Sequence, residues 1–596
     1  MNLIKKGLVA SLSLALLAGC ATSAPSETTT ATSSNYDKEV DYLVLGGGVA
    51  GLSSAIEAAD LGLENILLLE KTGNLGGAAF YSGGIFGGLE TQITKANDVH
   101  YDIEDVIAEQ MAEKHYILDE DLTRLTIEKA GETIDWLIDE IGVKFQAETV
   151  TKDGYGTFPI IHLVEGEGAG MKEPFAKALE QRENIEVQLN TSATELIVED
   201  GKVVGAVAVC DGQTMRIKAD AVLLATGGYS ANHDLFVTGA SQNGVFQTSN
   251  FANQSGDGLV MATKVGAGVQ NLDQLQVYLR EYNNPTGQNP YMFTIFVGQD
   301  GKRFMDEKRT AQTYNQEIKD DVIDLYGRTG VDYFWSLADE ASLTMMGIND
   351  KMKDYAGVVY ADTLEELAVK IGVDAATLVE TVNQWNQDCA NQKDSQFNRT
   401  SPIWFPLTTG PYYALQTTFF SSVCHGGITK NANAQVTRID GTPIDGLFAA
   451  GEVTTVTNSN GYTISNAITF GRIAANSALK YMNGELSAPV SEEVETTEPE
   501  TLFDMSTPLI DGEYEASVEG QEGKMIVKTT ITDGKIANVE IVEQHETEGV
   551  ADNALATLPQ AIVDANSVDV DAVSGASLTS GRIQQAVVDC LTQAAQ

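Results

Sequence analysis

One stretch near the start constrains the fold more than any other: the apolar run Tyr42-Leu43-Val44-Leu45 leads without a break into Gly46-Gly47-Gly48-Val49-Ala50-Gly51. The following residues, Leu52 to Ala59, carry a helical pattern, and a second apolar run, Asn65 to Leu69, ends at Glu70. Each glycine has a reason. Gly46 permits a tight turn, Gly48 lets a diphosphate come against the backbone, and Gly51 lets helix and strand pack closely. Glu70 is placed to accept a hydrogen bond from a ribose 2′-hydroxyl. Strand, loop, helix, strand and acid in that order predict a dinucleotide-binding βαβ unit, and with it an α/β parallel sheet.

A second Gly-rich stretch follows, Gly76-Gly77-Ala78-Ala79-Phe80-Tyr81-Ser82-Gly83-Gly84. Further along stand Ala225-Thr226-Gly227-Gly228 after an apolar strand, Gly256-Asp257-Gly258 before a helix, Gly301-Lys302-Arg303-Phe304 after a strand, Gly446 to Glu452, and Ile468 to Arg472. In this order they resemble the fumarate reductase and succinate dehydrogenase flavoprotein superfamily, over roughly residues 40 to 482. The resemblance implies a Rossmann-like FAD-binding domain (39–241 and 373–486) interrupted by a capping domain (242–372). It also implies non-covalent FAD held by Gly46, Gly48, Gly51, Glu70, Lys71, Gly76, Gly77, Ala78, Ala79, Gly83, Gly84, Ala193, Gly227, Gly228, Asp257, Glu452, Ile464 and Ser465. In the family the Gly-Glu pair contacts the ribityl chain and a helix N-terminus faces the isoalloxazine.

The family's chemistry is hydride transfer from reduced FAD to an activated alkene, with a proton delivered to the neighbouring carbon under a cap that excludes water. Fumarate reductases deliver that proton from an arginine and clamp a dicarboxylate with Arg and His. This sequence departs from them. Alignment on the flanking motifs puts Ala311 at the acid arginine, Val423 at a substrate histidine and Asn458 at the clamping arginine. A dicarboxylate stripped of water without those cations is poorly compensated, so fumarate is not the expected substrate. The cap holds Tyr278, Arg280, Tyr282, Arg303 and Arg309 as donors and anion binders; Tyr278, at another substrate-histidine position, and Arg309, two residues before Ala311, are the candidate proton donors. His425, Gly461 and Tyr462 are expected near substrate or flavin. Only five residues separate Gly77 from Gly83, a short form that resembles the ketosteroid dehydrogenases, in which a backbone N–H matching Gly461 binds a carbonyl oxygen. A neutral enone, or an acid gripped by one cation, fits better than a diacid. The scattered histidines indicate no metal site.

From Ser487 to Pro508 the chain is acidic, contains Pro and lacks periodicity, which predicts a linker (487–508). Beyond it, strands over Lys524–Ile531 and Ile536–Val542 flank the turn Thr532-Asp533-Gly534-Lys535, and a helix runs from about Arg582 to Ala595. Between them lies Asp571-Ala572-Val573-Ser574-Gly575-Ala576-Ser577. This module (509–596) resembles the small α+β FMN-binding domain of sodium-pumping quinone oxidoreductases and extracellular flavin reductases. By that resemblance Ser577 carries FMN as a phosphoester installed by a flavin transferase, with Thr579 and Ser580 as competing hydroxyls.

The first residues predict where the chemistry happens. Lys5 and Lys6 precede an apolar run from Leu8 to Leu17, too short for an ordinary membrane span, followed by Leu17-Ala18-Gly19-Cys20. This resembles a bacterial lipoprotein signal (1–20), in which Cys20 is lipidated; the alternative is an ordinary secretory signal. Residues 21–38, largely Ser, Thr and Ala, read as a tether. The other four cysteines show no close pairing, and no Cys-x-x-Cys-His is present to attach haem, so electrons must travel by flavin. A formal net charge of −47 argues against nucleic acid or another polyanion as a partner and suits solubility at a cell surface.

Together these features predict a lipid-anchored reductase on the outer face of the cell membrane. It would take electrons from a membrane donor (a quinone-linked flavoprotein system) through FMN and FAD to a small-molecule electron acceptor. A ketosteroid dehydrogenase-like enzyme and a non-catalytic flavin electron carrier are the alternatives.

Overall fold

The computed structural model describes residues 36–113, 117–151, 157–239, 245–248, 253–282, 294–310, 313–345, 352–353, 357–399, 405–457, 461–486, 502–519, 524–545, 551–570 and 577–595. Cys20, the tether, Ala311, Asn458 and the stretch 571–576 lie outside them, as do the side chains of Arg309 and Ser577. The chain divides into two units, Met1–Ala488 and Pro489–Gln596.

The first unit is built on an eight-stranded sheet. Its parallel part runs Pro443–Ala449, Gln213–Leu224, Lys38–Leu45, Ile66–Leu69, Ile185–Gln188. The inner strands are apolar on both faces: Tyr42, Leu43 and Val44 are fully buried, as are Val222, Leu223 and Leu224. That is what a parallel sheet covered on both sides requires. Register then sets the ends level. Leu45 pairs with both Leu69 and Leu224, and Leu224 with Ala449, so the loops beginning at Gly46, Glu70, Ala225 and Ala450 gather at one edge. Ligands of open α/β sheets bind at this carboxyl edge.

Two helices, Val49–Asp60 and Thr463–Met482, cover one face of the sheet and pack on each other. Gly51 makes the loop possible, because a Cβ there would lie 2.0 Å from the Gly46 carbonyl oxygen.

The cap is a six-stranded antiparallel sheet of Ile295–Val297, Phe334–Asp339, Tyr412–Cys424, Leu275–Glu281 and Thr313–Tyr314, with Val358–Ala361 also paired to Tyr412–Cys424. This corrects the expected cap boundary at residue 372. The helix Ala375–Asn391 buries Leu378, Val382 and Trp385 in the cap core, and the longest cap strand ends only at Cys424. The strand's partners lie far away in sequence, so no local pattern marks the boundary.

Within the cap, Arg303 has no exposed side-chain surface and pairs with Glu307 at 2.8 Å and Asp394 at 2.9 Å, while Arg399 reaches Glu307 at 3.2 Å. Both guanidiniums stack on Trp385, at 4.8 and 5.3 Å from its centroid. Although burial opposes it, Arg303 holds the Asp394 carboxyl down at about 2. Arg303 is therefore bound within the cap core. Buried charges of this kind persist because each is matched by an opposite charge.

The second unit has three antiparallel strands, Gly512–Glu519, Lys524–Thr532 and Lys535–Glu543, and the helices Asp552–Ala565 and Ser577–Ala594. Asp533 and Gly534 both take positive φ, 52° and 68°, as a two-residue hairpin demands. Two boundaries move. Phe503 and Met505 pack on this unit's core, so its structure starts inside the stretch predicted as linker. The last helix begins at Ser577, five residues before the expected Arg582, because Thr579 and Ser580 are buried in its first turn.

Candidate functional site: an FAD cavity roofed by a cap strand

The carboxyl edge of the parallel sheet opens into a cavity of about 470 Å³. Its walls come from the level strand ends: Gly46 and Gly48, Glu70 and Lys71, Thr226 and Gly227, Gly451 and Glu452. The second Gly-rich stretch adds Gly76, Gly77, Ala78, Ala79 and Gly83. Gly461, Thr463 and Ile464 come from the start of the long helix, and Gln276, Tyr278 and Val423 from the cap.

These walls fit a dinucleotide. The helix Val49–Asp60 starts at Gly48 with no side-chain cap, and the helix Thr463–Met482 likewise has none, which leaves first-turn N–H groups for a ligand. The hydroxyl Oγ1 of Thr226 is buried with no hydrogen-bond partner among the described residues, as expected of a group whose acceptor is a cofactor. Glu70 accepts from the backbone N–H of Gly47 and of Thr72, both at 2.8 Å, and still faces the cavity. A carboxylate has room for a further donor such as a ribose hydroxyl. Lys71 pairs with Asp257 at 3.0 Å and also donates to Ser255. Ala193 and Asp257 line a smaller adjoining cavity with Lys71 and Thr226.

At the far end Glu452 accepts from the backbone N–H of Cys424 at 2.9 Å and from the side-chain amide of Gln254 at 3.0 and 3.1 Å. Ser230 donates in turn to Gln254. Burial pushes the Glu452 carboxyl up to about 7 against the pull of these donors. The Cys424 thiol is pushed above its ordinary range by burial and by Glu452, which leaves it a poor nucleophile.

Some expected residues serve the site from behind. Gly51 and Gly228 lie outside the lining; a Cβ on Gly228 would come 2.7 Å from Glu452 Oε1, so its smallness admits that carboxylate. Gly84 packs its carbonyl on Val164 N–H at 2.9 Å, and Ser465 donates to the Gly87 carbonyl at 2.9 Å. Tyr462 does not face the cavity, because its ring packs against Gly87 and into the apolar cluster with Leu89, Ile107 and Ile160. His425 is buried outside the lining, with its backbone bonded to Gln274 and Val456.

Val423 lines the cavity, because it pairs with Gln276 and directly opposed residues share a face of the sheet. The register slips between Gln276, which pairs with Val423, and Val277, which pairs with Ser421. The extra residue, Ser422, is a β-bulge just before Val423.

Of the two candidate proton donors, Tyr278 lines the cavity. Arg309 sits in the short helix Glu307–Thr310, and its side chain lies outside the described residues. Gln254, Thr226 and Gln276 were not among the expected site residues. Gln276 was legible as the residue two before Tyr278 on an alternating strand, and Thr226 stood within a motif, whereas Gln254 carries no signal. In the second unit Thr579 and Ser580 are buried at 5% and 0% exposure, and Ser577 opens the last helix. Among the described residues no cluster of His, Cys, Asp and Glu is placed to hold a metal, and no helix is long and apolar enough to cross a membrane.

Residues 41–467 match the family model described as FAD binding domain, and residues 520–592 match that of the FMN-binding domain. The chain is 30% identical over 459 residues to the urocanate reductase of Eggerthella lenta, covering 74% of each. It is 26% identical over 456 residues to the vinyl phenol reductase of Lactiplantibacillus plantarum, covering 69% of this chain and 89% of that one. Among solved structures, the open form of a flavocytochrome c3 fumarate reductase superposes with a TM-score of 0.65 at 26% identity, covering 75% of this chain and 79% of the other. The fold, the cavity and these matches agree: the chain belongs to the fumarate reductase and succinate dehydrogenase type of FAD flavoproteins, carries a C-terminal FMN-binding domain, and is an FAD-dependent oxidoreductase acting on CH–CH groups.

Proposed function

We propose that this chain is a lipid-anchored reductase on the outer face of the cell membrane, which passes electrons from FMN on Ser577 to FAD and on to a small unsaturated organic acceptor. The observation that carries the reading is the position of Tyr278, a cap residue whose phenol faces the same cavity as both Gly-rich loops. FAD, when bound, supplies the hydride. Tyr278 is the group that delivers the proton to the adjacent carbon, since a phenol both donates and is regenerated from solvent. Val423 borders the same space at a position where fumarate reductases carry a substrate histidine, so the acceptor meets an apolar wall there, with the Gln276 amide beside it. Urocanate reductase and vinyl phenol reductase among the relatives support an acceptor other than a dicarboxylate.

The lipobox ending at Cys20 supports the membrane anchor, with a quinone-linked flavoprotein system as donor. The burial of Thr579 and Ser580 supports Ser577 as the residue a flavin transferase modifies. A second reading, an enone oxidoreductase of the ketosteroid dehydrogenase kind, is favoured by Gly461, which lines the cavity beside the uncapped helix start.

The test is anaerobic reoxidation of the chemically reduced, fully flavinylated protein by fumarate, urocanate, cinnamates, unsaturated ketones and sulfoxides. Rapid reoxidation by one alkene names the acceptor class. Uniformly slow reoxidation with both flavins present rejects the reductase and leaves the electron carrier.

A further inference from the structure

Arg280 differs from the other described arginines of the cap. Arg303 is paired with Glu307 and Asp394, Arg399 with Glu307, and Arg328 with Asp300 and Asp324. Arg280 has no carboxylate partner among the described residues. Its guanidinium donates to the neutral side-chain oxygen of Gln247 at 2.6 Å, and its Nε, like that of Arg399, is buried with no acceptor among the described residues. Burial pulls its pKa below the ordinary arginine value. The nearest acid in this network, Asp332, takes the Tyr282 hydroxyl at 2.7 Å and the Gln247 amide at 3.3 Å.

Its place on the strand matters as much as its charge. Leu275, Val277 and Leu279 point into the core, so Gln276, Tyr278 and Arg280 share the opposite face. The first two line the FAD cavity. The Arg280 guanidinium lies 5.0 Å over the Phe420 ring, and that ring lies 6.2 Å from Tyr278. One aromatic ring thus separates a half-desolvated cation from the candidate proton donor.

We propose that Arg280 is the anion anchor of the acceptor site: it takes the carboxylate of a monoanionic acceptor whose apolar body packs on Phe420 and whose reducible bond lies beside Tyr278. The proposal rests on the reductase reading and narrows it to acids with a single charged group. A guanidinium held by one neutral amide keeps its remaining donors for a forked carboxylate contact. A cation taken partly out of water without a counter-ion is costly, and an anionic ligand relieves that cost. A single such cation satisfies one carboxylate and leaves a second uncompensated.

The experiment measures binding of cinnamate and of its neutral analogue cinnamamide to the oxidised holoprotein, read from the perturbed FAD absorbance, and needs no turnover. The wild type is expected to bind cinnamate more tightly than cinnamamide. R280Q should weaken cinnamate by roughly 100-fold while leaving cinnamamide within about threefold, and R280K, which keeps the charge and loses the fork, should fall between. FAD content and melting temperature establish that each variant is folded, and R280K serves if R280Q is not. Equal binding of the two ligands by the wild type, or unchanged cinnamate binding in the folded variants, overturns the anchor. Reoxidation is measured in parallel, where R280Q should raise KM for an acid acceptor with little change in kcat. Arg280-dependent binding without reoxidation by any acid would keep the anchor and remove the reductase reading.

Discussion

The side-chain amide of Gln254 reaches both oxygens of Glu452, at 3.0 and 3.1 Å, and so holds a buried carboxyl against the flavin end of the cavity. Because burial raises this carboxyl from 4.5 to about 7, its contribution to folding is present in full below 4.5 and is lost as pH rises through about 7. Glu452→Gln should remove that dependence. In the flavin-free protein, melting curves from pH 4.5 to 7 should fall more steeply with pH for the wild type than for the variant, which gains ~2 kcal/mol at pH 7. Parallel curves for the two proteins would show that the carboxyl titrates normally.

Gly51→Ala places a methyl 2.0 Å from the Gly46 carbonyl oxygen, and the loop cannot move away without losing its hold on the helix start. The expected result is purified protein with little FAD and stability lower by roughly 2–3 kcal/mol. Flavin absorbance after desalting and the melting temperature check both. A variant that retains FAD at wild-type stoichiometry would mean that the helix entry is softer than its geometry.

Tyr278→Phe removes one hydroxyl and keeps the ring beside Phe420. If the phenol supplies the proton, kcat for the acceptor falls by roughly 10²–10⁴-fold, with FAD content unchanged and KM little altered. Rapid-quench turnover with the best acceptor measures this. A loss below tenfold would transfer the role to another donor.

Lys430 is buried, donates to Thr454 at 3.0 Å and sits 4.1 Å over the Phe470 ring, and burial pushes it down to about 7, with Asp119 opposing. A lysine depressed in this way gives its full stability only above its unfolded value near 10.5, and loses it as pH falls through about 7. Wild-type stability should therefore climb between pH 7 and 10. Lys430→Met should flatten that slope and add about 1–3 kcal/mol at pH 7. Denaturant unfolding across the window provides the comparison.

What the sequence made legible was set by local constraints. The glycines at 46, 48 and 51 are dictated by a turn, a close approach and a packed helix, and Asp533-Gly534 by the positive φ of a hairpin. Each can be read within a few residues. The cap's end at Cys424 could not, since the strand Tyr412–Cys424 draws its neighbours from residues 275–281, 334–339 and 358–361. Val423 was legible at the cavity wall from alignment on the flanking motif, whereas the withdrawal of His425 behind it follows from the end of the cap strand at Cys424. Arg280 was visible only as one of several cap cations; its distinction is the absence of a carboxylate partner among the described residues, a property of the folded neighbourhood.

The last helix of the C-terminal unit draws Thr579 and Ser580 into its core. On the reading that FMN is attached here after folding, these two hydroxyls are withdrawn from the reaction. On that reading the folded chain itself, by burying Thr579 and Ser580, narrows the choice of attachment point before any transferase acts. A chain modified on the wrong hydroxyl would be one that had been reached before it folded.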